Sequence, residues 1–282
     1  IKNKTLMAAR IIAGRLFYKG VIIIFSAYDF IFDGIPGEQY GLKLYNFDSA
    51  SQDENSPLGI SPEILEDRIG RRISPIHYGI SFTNPLSFQI VFGSDTPLDR
   101  YDISVITSWL IGHQDYKWLD ILQPDLYFQR YKCILQDAKV VTIAGLPFAL
   151  QCDVLCDSPF SYSYPELHVS SINKSGSIQI YNPSTMNFPY YPNIKIENIT
   201  SSTIEMYTDT EPDRKLIFSK TSGVDWIEIA GESHIITSNA PDIVYSGCNF
   251  KFLRLAKGDN MITIIGNCDI TITCEFPMGV GS

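Results

Sequence analysis

Along residues 253–274, apolar positions alternate with Thr, Asp and Cys at a period of two. That is the pattern of a strand with one buried face. Lys257-Gly258-Asp259-Asn260 and Gly266-Asn267 are turn-forming clusters within the stretch, so it predicts a β-ribbon. Leu253 and Leu255 lead into a turn, 261–265 follows, and Ile270 and Ile272 share a face with Cys268 and Cys274. Similar alternation marks strands at 168–172, 177–181, 193–199, 203–207, 214–218, 225–230 and 234–237. Short strands spaced about eight to twelve residues apart, with turn signals between, are the signature of a β-sandwich.

The first half is also β-rich. Strands are predicted at 21–32, 41–47, 78–92, 117–121, 127–135, 139–143 and 148–155. Asp33-Gly34-Ile35-Pro36-Gly37 is a turn and 48–57 a polar loop. One helix stands out. Thr96 supplies an N-cap, Pro97 the first helical position and Asp99 an acidic first turn. Ile103, Ile106, Trp109 and Leu110 recur at helical spacing, and Gly112 fits the C-cap. Trp109 is expected in the core. In 60–76, Glu63, Glu66, Asp67, Arg68, Arg71 and Arg72 are interleaved with Ile64, Leu65, Ile69 and Ile73. This stretch is either a short helix or an extended hairpin arm. Residues 161–165 form a linker, which divides the chain into 21–162 and 163–282. Residues 1–20, basic and apolar, form a helical or disordered extension.

Composition narrows the function classes. The 282 residues are 45% hydrophobic and 19% charged, enough for two cores. A formal net charge of -9 disfavours binding to phosphate backbones. The six Cys include no C-x2-C pair, and no His stands near a Cys pair, so zinc is not indicated. They are expected as reduced, half-buried apolar residues, with a cross-strand disulfide as the alternative. The apolar run 21–25 is followed by Asp29 and Asp33, so it is no membrane span. Nucleophile-elbow, phosphate-loop, dinucleotide and zinc-protease motifs are missing from the sequence. His77, His113, His168 and His234 are scattered, and Asp209 and Glu211 lie in turns. No catalytic residue, cofactor or metal ligand is implied, and the chain is expected not to be an enzyme.

Taken in order, these segments resemble the distal tail protein (Dit) family of long-tailed bacteriophages. In the first half the matching pieces are Gly37-Glu-Gln-Tyr40-Gly41-Leu, Pro85-Leu86-Ser-Phe88 and the helix end Ile106-Thr-Ser-Trp109-Leu110. Tyr116-Lys-Trp-Leu119, Pro124-Asp-Leu-Tyr127, Phe148-Ala-Leu-Gln-Cys152 and Asp157-Ser-Pro159-Phe160 complete them. In the second half they are Tyr191-Pro192-Asn-Ile194-Lys-Ile196, Trp226-Ile-Glu-Ile229, His234-Ile-Ile-Thr-Ser238 and Phe252-Leu-Arg-Leu255-Ala-Lys-Gly258-Asp-Asn260-Met-Ile262. The extension before residue 21 departs from the family, whose members start close to their first strand.

The resemblance implies a mainly β fold. Its N-terminal part is a sandwich or barrel-like ring-forming domain with one helix and an inserted arm, followed by a galectin-like C-terminal β-sandwich. The last strand can return to the first domain. It implies a structural virion protein at the tail tip, made in the bacterial host cytoplasm. Six copies form a ring that joins the tail tube to the tail-associated tip protein and leaves a channel for DNA. Receptor-binding or baseplate proteins are further partners, in host adsorption. Specific nucleic-acid binding and membrane association are not implied. On this reading 60–76 is the arm, and Glu63, Glu66, Asp67, Arg68, Arg71 and Arg72 pair across a subunit boundary; otherwise they form a solvated face. The alternative function is a carbohydrate-binding β-sandwich, with Tyr190, Tyr191 or Trp226 stacking on sugar rings.

Overall fold

The computed structural model describes residues 15–18, 21–24, 26–46, 63–67, 74–82, 84–123 and 128–279. The fold is mainly β, in two compact units that divide at Ser161/Tyr162.

In the first unit, β1 (Arg15–Tyr18) and β2 (Val21–Ile24) form a two-stranded hairpin. The hairpin takes residues 15–18 of the expected helical or disordered extension into strand, while 21–24 are strand as predicted. It is rich in branched and aromatic residues (Phe17, Tyr18, Val21 to Ile24), which favour extended backbone. β3 (Ser26–Phe32) is followed by the short β4 (Ile35–Pro36), the 3-10 turn η1 (Gly37–Tyr40) and β5 (Leu42–Asn46). A separate hairpin joins β6 (Glu63–Asp67) to β7 (Ile76–Ser81). Then come β8 (Ser87–Ser94), α1 (Arg100–Ile111), β9 (Lys117–Leu122), β10 (Gln129–Ile143) and β11 (Leu146–Cys156).

Six of these strands pair in the order β11-β8-β5-β3-β9-β10, and β10 pairs back to β11, closing a barrel. Alternation places Leu42, Leu44, Phe92, Leu119, Cys133, Leu135, Cys152, Val154 and Cys156 in its core. Cys133 and Cys156 stand directly opposite, both fully buried and both free thiols. Burial pushes the Cys156 thiol up to about 12. α1 buries Ile106, Trp109 and Leu110. Trp109 stacks on Tyr40 at 4.4 Å and meets Phe30 and Phe32 at 6.1 and 6.0 Å, as its expected core role requires. The N-cap is Asp99 rather than Thr96. Asp99 Oδ1 accepts from the Asp102 N–H at 2.8 Å, and Asp102 Oδ2 accepts from the Asp99 N–H at 3.1 Å. This reciprocal box satisfies two otherwise orphaned donors, and it outcompetes a single Thr hydroxyl three residues earlier. Gly112 is the C-cap.

The second unit begins within β12 (Ser161–Ser163), so the expected linker is partly strand. The Ser163 N–H donates to Phe276 O, and the Phe276 N–H to Ser163 Oγ. β13 (Glu166–Asn182) is one strand of 17 residues where the pattern predicted two. It pairs along its whole length with β19 (Gly258–Cys274), also 17 residues. Between them lie β14 (Asn193–Glu197), β15 (Ile204–Thr208), β16 (Leu216–Phe218), β17 (Trp226–Ala230), β18 (Ile235–Ser238) and α2 (Pro241–Gly247). β20 (Pro277–Met278) ends the fold.

β19 organises the sheet. Its second edge serves two partners in turn: 262–265 pairs with β15, and 269–273 with β14. From these, two wings diverge, β15-β16 and β14-β17-β18, and the sheet curls into a half-barrel. The change of partner falls at Gly266 and Asn267, which were expected to be a turn but lie inside the strand. Gly266 takes φ +145°, with Ser201 Oγ and Thr203 O each 3.1 Å from where a Cβ would stand. Asn267 ties the break together. Its N–H donates to Ser201 Oγ, its carbonyl accepts from the Thr200 N–H, and its side-chain oxygen accepts from the Lys174 N–H. A Gly-Asn pair that would begin a hairpin elsewhere here bends a continuous strand. The Lys257 to Asn260 cluster likewise runs into β19, with Asn260 buried and donating to the Ala256 and Gly258 carbonyls. The concave side is closed by one apolar cluster that includes Ile196, Met206, Phe218, Ile227, Val244, Leu255, Ile264, Ile270 and Phe276.

Candidate interaction surfaces

The β6–β7 hairpin carries the predicted arm residues that the structure describes. Among the described residues the two strands pair only with each other. Residues 63–67 pair with β7, so the described part of the stretch is hairpin and not helix, and all five residues of β6 are exposed. Glu63 faces Ser81, Glu66 faces His77 and Asp67 faces Ile76 across the ladder. Arg68, Arg71 and Arg72 lie outside the described residues. A bulge falls between Leu65 and Glu66, opposite Gly79, whose φ of +135° only glycine adopts readily. Four apolar side chains stand in solvent on this ribbon: Ile64 (60% exposed), Leu65, Tyr78 and Ile80 (57% exposed). Ile64 and Ile80 are direct cross-strand partners. An isolated two-stranded ribbon is marginal in water, and an uncovered apolar one costs solubility besides. The sequence showed Ile64 and Leu65 interleaved with the charges and Ile80 in a strand, but sequence reasoning assigned the arm's contacts to the charges alone.

A second apolar tip ends the β10–β11 hairpin, where Val140, Ile143 and Leu146 are exposed on either side of the Ala144-Gly145 turn. Lower on the barrel wall, Arg130 pairs with the buried Asp120 at 3.2 Å and lies 4.1 Å from the centre of the Trp118 ring.

In the second unit the charged groups are mostly spoken for. Glu211 accepts both Arg254 Nε and Nη2, with Arg214 Nε 3.9 Å away. The Arg254 hydrogen bonds hold the Glu211 carboxyl below the usual carboxylate range. The suspected turn carboxylate is therefore a clamp between loops. Asp209, its neighbour, accepts the Met261 N–H. Tyr190 is buried, and its hydroxyl accepts the Glu275 N–H, so it cannot be a stacking platform. Tyr191 and Phe252 both pack on His234, each with ring centres 4.5 Å apart. Trp226 sits half-buried on the solvent side of β17. The one groove described on this unit, about 330 Å3, lies on that same side, across β14, β17 and β18. Its residues were invisible to sequence reasoning because Thr, Lys and Glu on alternate strand positions are ordinary solvent-facing choices.

Among the described residues no group of three or more His, Cys, Asp or Glu could hold a metal ion, and no helix is long and apolar enough to cross a membrane.

Comparison with known proteins agrees with the architecture. Residues 25–158 match a family described as the phage tail protein N-terminal domain, and 160–274 one described as the phage tail C-terminal domain. None of the curated proteins searched matches the sequence. Among solved structures, the chain is similar to the Dit protein of phage SPP1, described as a paradigm of the hub adsorption apparatus in phages that infect Gram-positive bacteria. The identity is 12% and the TM-score 0.57, over 89% of this chain and all of that one. A chain of the phage p2 baseplate in its activated conformation is also found, at 11% identity and TM-score 0.42, over 88% of this chain and 97% of that one. The chain belongs to the phage tail proteins that these two domain models describe, and its fold is similar to that of Dit.

Proposed function

We propose that six copies of this chain form a ring at the distal end of the tail tube. The ring joins the tube to the tail-tip and host-adsorption proteins and leaves an axial channel for DNA. What supports this reading most is the order and span of the two family matches, which together run from residue 25 to 274. The barrel, in the domain 21–162, is the ring-forming part. The galectin-like half-barrel, in 163–282, faces outward and carries baseplate or receptor-binding partners. The chain acts as a scaffold and not as a catalyst.

A cyclic ring needs a head-to-tail interface, in which one patch on each copy meets a different patch on the next. A ribbon projecting from the barrel suits that role. The β6–β7 hairpin grips the adjacent copy through Ile64, Leu65, Tyr78 and Ile80. Glu63, Glu66 and Asp67, with Arg68, Arg71 and Arg72, set its register by charge. The net charge of -9 fits a conduit for DNA, since repulsion keeps a polyanion moving. Electron microscopy of the purified chain, with and without a tail-tube partner, tests the proposal. Six-fold rings with an open centre are expected. Rings of another order, or particles without a central opening in the presence of the partner, would overturn it.

A further inference from the structure

The second unit leaves one long strand edge open. β13 runs for 17 residues and pairs with β19 along one side. Among the described residues no strand pairs with its other side. The outer strands at the two ends of this sheet are far shorter: β16 has three residues and β18 four. Short edges offer little to a passing backbone, whereas a long one presents a row of free N–H and C=O groups.

Two features bound the usable part of that edge. Pro165, which has no N–H, stands just before it. Lys174 takes φ +65°, opposite Gly266, and interrupts the extended backbone. Between them the side chains complement a second copy of themselves. An antiparallel pairing about a two-fold axis at Ser170 sets Val169 against Ser171, Leu167 against Asn173 and Glu166 against Lys174. Partners stand at equal distances from the axis, so they share a face. Glu166 and Lys174 are the only Asp, Glu, Lys or Arg residues of β13, and both are exposed. Their spacing brings opposite charges together twice, once on each side of the axis, and opposite charges across a ladder favour pairing. Within the chain Glu166 lies 3.6 Å from His168 Nε2, and among the described residues no carboxylate pairs with Lys174. On the other face Leu167 and Val169 are 65% and 67% exposed, the most exposed aliphatic side chains among the described residues. The two Val169 side chains become diagonal neighbours across the axis. Pairing thus covers apolar surface that the single chain leaves in water.

We infer that β13 pairs with β13 of a second copy of this chain, antiparallel and in register about Ser170, so that two curled sheets become one. The contact is self-complementary across a two-fold axis. Neighbours in a six-fold cyclic ring are related by no such axis, so it joins free chains or chains of separate rings. It uses the second unit alone and does not rest on the ring reading. One strand pair is a small interface, and a transient dimer with a dissociation constant of about 10–100 μM is expected.

The test uses the full chain carrying Cys248→Ser, which removes the half-buried thiol. In that background Ser170→Cys puts a thiol on the axis, directly opposite its twin. With copper phenanthroline and dissolved oxygen as the oxidant, disulfide-linked dimers are expected on non-reducing gels at about 50 μM chain. Ser177→Cys, exposed on the same strand but beyond Lys174, is expected to cross-link at least ~10-fold less. Lys174→Glu sets like charges opposite each other on both sides of the axis and should cut the Ser170→Cys dimer ~10-fold. Adding Glu166→Lys restores opposite charges and should restore the yield. Three results would each overturn the inference: no Ser170→Cys dimer up to ~0.5 mM chain, equal cross-linking at 170 and 177, or a double reversal no better than the single one. Six-fold rings without Ser170→Cys cross-links would sink this inference alone; cross-links without rings would sink only the ring reading.

Discussion

Replacing Ile64 and Ile80 together by Ser separates an arm that grips a neighbour from a ribbon that merely projects. The two face each other across β6–β7, at 60% and 57% exposed. Burying an aliphatic side chain completely stabilises by about 1.5–3 kcal/mol. Scaling by the fraction still in water gives about 1–2 kcal/mol for each residue, or about 3 kcal/mol for the pair at one interface. That corresponds to a ~100-fold weaker contact between copies. In the isolated chain neither residue belongs to the buried core, so thermal unfolding of the monomer should move by no more than ~0.5 kcal/mol. Sedimentation velocity over a concentration series, at equal temperature and salt, measures the assembly. Differential scanning calorimetry below the assembly threshold measures the fold. A double variant that assembles at the wild-type concentration would refute the reasoning. So would one whose monomer melts markedly lower, because the pair would then be supporting its own chain.

Other consequences are open to direct measurement. Gly266→Val places a branched side chain at φ +145° against Ser201 and Thr203; it should destabilise the second unit by about 1–3 kcal/mol, visible as a lowered Tm. Glu211 has its pKa lowered by Arg254. A depressed carboxylate adds stability above its unfolded value and loses it as pH falls through the folded one. Wild type should therefore lose its advantage over Glu211→Gln in urea melts only below about pH 4.5; an advantage that vanished nearer neutrality would contradict the assignment. Among the Cys, 133, 152, 156, 268 and 274 are buried and 248 is only half-buried. Ellman's reagent should thus label one thiol per chain quickly under native conditions, and Cys248→Ser should abolish that fast phase.

Local periodicity revealed what depends on local periodicity. The burial of Ile106, Trp109 and Leu110, the Gly112 cap and the strand faces of the second unit follow from spacing alone. Three features depend on distant partners and escaped. The N-cap moved to Asp99 because Asp102 reaches back to it. β13 and β19 were broken at polar or glycine positions because nothing local shows that each stabilises the other along its full length. α2 is a short helix of seven residues held in place by tertiary contacts, including the bond from the Tyr245 hydroxyl to Ile236 O. The charged stretch 60–76 was ambiguous for a related reason. Its described apolar residues Ile64 and Leu65 face water in the single chain, so no burial pattern there could select between helix and hairpin. The groove was hidden because it exists only where four strands bring unremarkable residues side by side.

A sheet that closes on itself has no seam. Each of the six barrel strands has strand partners on both flanks, so among the described residues none of the six is a bare edge along its whole length for a stranger's backbone to zip onto. In the proposed ring, copies of this chain then hold to one another chiefly through side chains and appended ribbons. Cohesion and barrel integrity become separable properties, and surface substitutions can tune how tightly copies associate while the wall itself stays intact.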